Sequence, residues 1–223
     1  KEVGARSRRI GLGVMGLHYM LIKLGFRYGS ESCIEFVERL FKTIRDESYK
    51  TSCYLSRDKG AFPAFDYKQY LKEDFAKTLP ARIRMLIKSH GIRNAVMLTI
   101  PPCGTISMLM GVSTGIEPIF APMYLRRWRH ANIWKEQIVV DPLLKEYFDE
   151  GKLDQAREVF VCAYDVKPEE HIKVQATIQR YVDNCLSKTI NLPEDSTAED
   201  FNKIALDFAQ YLKGLTIYRA GSK

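Results

Sequence analysis

Apolar residues recur at helical spacing through much of the chain, and short apolar runs break the pattern. Leu17, Met20, Leu21 and Leu24 share one stripe, which predicts a helix over 12–24. Ile34, Val37, Leu40, Phe41 and Ile44 predict a second over 31–56. Residues 57–80 are polar and aromatic, and Gly60 and Pro63 punctuate them as a loop. A short helix is expected over 81–89, with Gly91 where a helix C-terminus favours glycine. The period then changes. AVMLTI (95–100) reads as a buried strand stopped by Pro101 and Pro102, and CGTIS follows as a glycine-containing turn into an apolar run. GVSTGIEP reads as a loop and PMYLRRW as another strand. Residues 141–152 and 153–158 look helical, and VFVCAYDV (159–166) is a strand by composition. Pro168 opens a helix whose stripe is His171, Val174, Ile178, Val182 and Cys185.

The last fifty residues repeat the alternation. LSKTINLP predicts a short strand, and Ser196 with Glu199 forms the S-x-x-E pattern of a capping box. Phe201, Ile204, Ala205, Phe208 and Leu212 supply the helix stripe, Gly214 ends it, and LTIY is the next strand. Strand, helix, strand in this order predicts parallel pairing with a right-handed crossover. The fold class is therefore α/β.

Composition narrows the setting. The 223 residues are 46% hydrophobic, enough for one large domain or two small ones. No run of about 18 apolar residues occurs, so a membrane span is not expected. No signal peptide is evident, and the chain begins at Lys1 in a polar stretch, as a fragment of something longer would. The net charge of +7 suits an anionic partner. The cysteines, Cys33, Cys53, Cys103, Cys162 and Cys185, are odd in number and form no C-x-x-C. They point to a reducing, cytoplasmic compartment and away from a disulfide framework or a zinc site.

Candidate chemistry starts at GLGVMG, a G-x-G-x-x-G at Gly11, Gly13 and Gly16. A dinucleotide fold would need a buried strand before it and a second strand ending in an acid about 20 residues on. KEVGARSRR precedes it instead, and no Val/Ile-rich strand leads to Glu31. Small residues that let a helix pack closely are the favoured reading. LTIPPCGTISML is the strongest local candidate. Its free backbone N–H groups would prefer an anion, and Thr105 and Ser107 would add hydroxyl donors. With one glycine and no lysine it is not a P-loop. Cys103 is expected to be inert, and the other cysteines to lie in or near the core. MYLRRWRHANIW carries Arg126, Arg127, Arg129, Tyr124, Trp128 and Trp134, and reads as a half-buried strand with a charged outer face rather than a base-stacking surface. His18, His90, His130 and His171 show no metal-ligand spacing, and His171 reads as a satisfied core histidine.

Four stretches in series carry a resemblance. RRIGLGVMGL, TIPPCGTISMLMGVSTGIEPIF, LSKTINLP and KGLTIYRAGS closely resemble the C-terminal half of the large catalytic subunit of ribonucleotide reductase, most of all its adenosylcobalamin-dependent class II type. The similarity covers essentially the whole chain. It implies that residues 1–223 form the C-terminal half, about five parallel strands with helices, of a ten-stranded α/β barrel. It implies that GLGVMG belongs to a helix in that barrel. It implies that substrate phosphates sit against Pro102, Cys103, Gly104, Thr105, Ile106 and Ser107. The family pattern there resembles A-P-T-G-T-I-S; Pro101 and Cys103 replace the alanine and the first threonine, so one hydroxyl donor is lost.

The resemblance further implies reduction of a ribonucleoside di- or triphosphate by thiyl-radical chemistry. Adenosylcobalamin would be the cofactor and an external dithiol, such as a thioredoxin-like protein, the reductant. The other barrel half would be a partner, with no membrane and no direct nucleic acid. A metal-dependent large subunit would be expected to carry a tyrosine pair near the end, where this chain has Ile217 and Tyr218. The family's finger-loop N-x-C-x-E and tail C-x-x-C do not occur here. No catalytic residue or metal ligand is therefore assigned, and the chain is expected to be inactive alone. The alternatives are a nucleotide-binding module without catalysis and the large subunit of a metal-dependent (class I) reductase.

Overall fold

The computed structural model describes residues 2–131 and 133–222, and within them every side chain except that of Ile204. Its regular strands are β1 (Met123–His130), β2 (Ile133–Val140), β3 (Thr189–Leu192) and β4 (Thr216–Arg219). β3 and β4 pair in parallel, in register from Thr189↔Thr216 to Leu192↔Arg219, as the strand–helix–strand pattern predicts. Two further extended segments continue this parallel set. Residues 184–187, just before β3, bond to 96–100, with Ser187 N–H donating to Ile100 O at 2.7 Å. Residues 96–100 bond in turn to 10–13, where Thr99 N–H donates to Leu12 O at 3.0 Å. The parallel order is thus 10–13, 96–100, 184–192 and β4. It is a mixed α/β fold, and the described residues form no closed barrel.

Helices cover this set. The Glu31–Lys59 helix starts where Ser30 Oγ accepts from Cys33 N–H and stops at Gly60, whose φ of 81° ends the helix. It buries Cys33, Val37, Phe41, Tyr49 and Cys53. The helices Ala81–His90 and Pro168–Gln179 both pack against it, and the latter also packs on β3. Gly91 (φ 72°) closes the first of these, as its position predicts. Asp183 ties the long helix to the strand: its carboxylate accepts from Tyr49 Oη at 2.8 Å, Met97 N–H at 2.8 Å and Leu98 N–H at 2.7 Å.

Several expectations are corrected. The first core helix spans Leu17–Lys23 rather than 12–24, and GLGVMG is an extended edge segment, not part of a helix. A β-carbon at Gly13 would overlap Thr99 O, and one at Gly11 would lie 2.7 Å from Thr99 Cγ2. The glycines therefore allow one strand to approach another. PMYLRRW is strand β1, but it pairs antiparallel with β2 in a hairpin exposed at nearly every residue, not half-buried. VFVCAYDV is no strand. Its backbone bonds within local turns, to Ile119 O from Ala163 N–H at 2.8 Å, and to Asp165, whose Oδ2 accepts from Cys162 N–H at 2.8 Å. Where about five parallel strands are expected, the described residues show four parallel segments and an antiparallel hairpin. The capping box falls one residue later, at Thr197 and Asp200. Cys185 is exposed, although the other helix-stripe positions His171, Val174, Ile178 and Val182 are buried. Of the last helix stripe, the Ile204 side chain lies outside the described residues.

Candidate nucleotide phosphate site

The 96–100 strand ends at buried Ile100, and the chain turns outward through exposed Pro101 and Pro102. The helix Gly104–Leu109 starts here with Cys103 as its N-cap (φ −135°, ψ 34°). The N–H groups of Gly104, Thr105 and Ile106 have no protein acceptor among the described residues. Free donors beyond the C-terminal end of a parallel strand suit an anion. Gly104 does not use the left-handed backbone region, and a β-carbon there would meet nothing within 4 Å. Its lack of a side chain leaves open space in front of the turn.

Thr105 is exposed beside these donors. Ser107 is not. It is buried, its hydroxyl lies 3.4 Å from Cys103 Sγ and 3.6 Å from Met15 Sδ, and its N–H donates to Cys103 O at 2.9 Å. The expectation that Ser107 presents a hydroxyl outward is therefore corrected: helical spacing turns it beneath the turn, where it braces Cys103. Pro102, Cys103, Gly104, Thr105 and Ile106 come together at one surface.

The loop 113–119 backs this turn. A β-carbon at Gly115 would lie 3.5 Å from Cys103 Sγ. The same loop plugs the start of the Leu17–Lys23 helix: Gly16 N–H donates to Ser113 O at 2.8 Å, Leu17 N–H to Gly115 O at 3.2 Å and Tyr19 N–H to Ser113 Oγ at 3.2 Å. The N–H groups of Gly16, Leu17 and Tyr19, which a dinucleotide pyrophosphate would need after G-x-G-x-x-G, are thus already bonded to protein.

A buried polar cluster anchors the far end of the loop, and sequence reasoning passed over most of it. Glu117 accepts from Lys188 Nζ and from Thr189 N–H, both at 2.6 Å. Lys188, whose side chain is fully buried, also donates to His171 Nδ1 at 2.8 Å, and His171 Nε2 bonds to Ala163 O at 2.9 Å. Tyr28 Oη donates to Ile116 O at 2.7 Å, and Ile119 N–H to His18 Nδ1 at 3.0 Å. Burial, reinforced by the Lys188 charge, pulls His18 down to about 3 and His171 down to about 4. Both rings are neutral near pH 7. Burial also pulls Lys188 down, against the opposing pull of Glu117. His171 is a satisfied core histidine, as its stripe position predicts. The one charged residue in LSKTINLP, Lys188, was the one visible signal for the rest.

Free N–H groups at the C-terminal end of a parallel strand lie where ligands of parallel α/β folds are commonly received. Comparison with known proteins gives the family: the family model for the ribonucleotide reductase barrel domain matches residues 1–218, and the chain belongs to that family. It is 37% identical over its whole length to a vitamin B12-dependent ribonucleoside-diphosphate reductase of Thermoplasma acidophilum, of which it covers 30%. It is 32% identical over its whole length to the protein of the same description from Mycobacterium tuberculosis, covering 32% of it. The alpha subunit of ribonucleoside-diphosphate reductase from Chlamydia muridarum matches 86% of the chain at 26% identity, over 22% of its own length. The chain therefore spans about a third or less of the length of these relatives.

Cobalamin fits poorly on these residues alone. Of the four histidines, His18 and His171 are buried, His90 is half-buried and His130 is exposed on the β1–β2 hairpin. A groove of about 270 Å³ beside Asn202, Leu206, Leu212 and Leu215 is too small to enclose a corrin. No helix among the described residues is long and apolar enough to cross a membrane.

Proposed function

We propose that this chain is the C-terminal half of a ribonucleotide reductase barrel and holds the substrate's phosphates on the turn at 102–107. The reaction is conversion of a ribonucleoside di- or triphosphate to its 2′-deoxy form by a thiyl radical. The observation that carries the reading is the trio of unpaired N–H groups at Gly104, Thr105 and Ile106 at the end of a parallel strand. They fall in the stretch that most resembles the family's phosphate turn. Thr105 adds a hydroxyl, and Ser107 supports the turn from below.

The chain contains neither N-x-C-x-E nor C-x-x-C, so the radical cysteine and the reducing tail come from outside these residues. The chain alone does not turn over. Adenosylcobalamin is the proposed radical source, supported by relatives of that dependence that match the whole chain, and by Ile217 standing where a tyrosine pair would be needed. It binds to the complete unit rather than to this half alone. A thioredoxin-like dithiol regenerates the enzyme, and the setting is the cytoplasm.

The test is Gly104→Val in a unit that holds both barrel halves. The new side chain projects into open space, so the fold keeps its thermal midpoint while a bound phosphate is obstructed. Nucleotide affinity should fall more than tenfold (about 1.4 kcal/mol per decade). Unchanged affinity contradicts the assignment.

A further inference from the structure

We propose that Glu117 and Lys188 are positioning residues for the phosphate turn: the ion pair between buried Lys188 and half-buried Glu117 sets the place of the 113–119 loop, and that loop sets the place of Cys103. The inference rests on the phosphate-turn reading above.

Lys188 has no exposed side-chain surface, and its ammonium meets Glu117 Oε2, His171 Nδ1 and Thr189 O. All three of its protons are thereby accepted. Burying an ion pair is expensive, and apolar residues of similar volume usually stabilise a fold as well or better. Stability alone therefore does not account for a cation at this place. What the pair supplies is register. Glu117 bridges two successive residues of one strand, taking Lys188 Nζ on one oxygen and Thr189 N–H on the other. A neutral side chain could not hold both contacts with comparable strength.

That fixed point is transmitted over a short path. Two residues before Glu117, Gly115 lies against Cys103 Sγ and Ile100 Cγ2, at 3.5 and 3.9 Å from where its β-carbon would be. Cys103 is the N-cap from which the free N–H groups of Gly104, Thr105 and Ile106 are directed. The loop's other contacts are to the Leu17–Lys23 helix, to Tyr28 and to Ala163, so it cannot relax toward the turn on one side alone. Misplacement of binding groups by about an ångström is enough to cost a large factor in function.

The experiment measures CDP binding by calorimetry in a unit with both barrel halves, well below each variant's thermal midpoint. The variants are Gly104→Val, Glu117→Gln, Lys188→Met and the double change E117Q/K188M. Glu117→Gln and Lys188→Met should each raise the Kd for CDP about tenfold, at full binding stoichiometry. The double variant should cost no more than the worse single, since both remove one coupling. Full stoichiometry with weakened affinity is a result that loss of folded protein does not produce. If a single variant fails to fold, the double, which buries no unpaired charge, decides. CDP binding at wild-type affinity in the double or in the singles, with Gly104→Val still impaired, overturns the positioning role alone. Wild-type affinity in Gly104→Val overturns the phosphate turn itself.

Discussion

Gly13 and Thr99 meet backbone to backbone, and this contact explains a motif that otherwise invites a cofactor. Gly13→Ala should destabilise the protein by about 2 kcal/mol, in the range of overpacking, because Thr99 O cannot yield without moving its strand. Gly4→Ala, where an added β-carbon meets nothing within 4 Å, should cost nothing. Urea midpoints of the two variants check this; equal midpoints contradict it. The thiols separate in the same way. Burial pushes Cys33 up to about 11 and Cys53 up to about 12, so both should resist iodoacetamide in the native protein. Exposed Cys185 should be alkylated first, as mass spectrometry of timed samples would show. The glycine spacing was plain in the sequence, but its purpose was not, because a sequence shows that Cβ is absent and not which atom would have struck it. Ser107 and Lys188 were misread or missed for a related reason: which way each side chain faces depends on the helix and strand that carry it.

Elements with local punctuation were legible. Gly91 marks a helix end by a mechanism that needs only a few neighbouring residues. β3 and β4 were legible as a parallel pair because strand, helix and strand follow in short order. VFVCAYDV was not, since Val159, Ala163 and Val166 bury their side chains with no strand ladder, and composition reports only the burial. The segment 10–13 escaped because Ile10 and Leu12 are about half exposed and alternate with glycine. Asp183 shows how one residue can join elements far apart in sequence. Asp183→Ala removes the acceptor for Tyr49 and for two backbone N–H groups, and should cost about 3 kcal/mol in chemical denaturation. A cost below about 1 kcal/mol would mean that the long helix and the 96–100 strand do not depend on it.

Across the whole molecule, two neutral histidines make stability depend on pH. In the unfolded chain each takes up a proton near its ordinary value of 6.5, while in the fold His171 does so only near 4 and His18 near 3. Their contribution is complete above pH 6.5 and is lost as the pH falls toward those values, at about 1.4 kcal/mol per histidine per pH unit. Guanidinium unfolding at pH 7 and 4.5 should show this loss, and His18→Gln should reduce it. A loss of the same size in the variant contradicts the assignment. At this scale the family was readable from four motifs in series, whereas the described residues form no closed barrel.

The central claim is that this chain is half of a radical reductase. The most direct test joins it to the other barrel half and supplies ribonucleotide and a dithiol, with and without adenosylcobalamin. Deoxyribonucleotide formed only with the cobalamin, and none from this chain alone, is the predicted result. Nucleotide bound without any deoxyribonucleotide, in the complete unit with cobalamin, would contradict it and leave a binding module without catalysis.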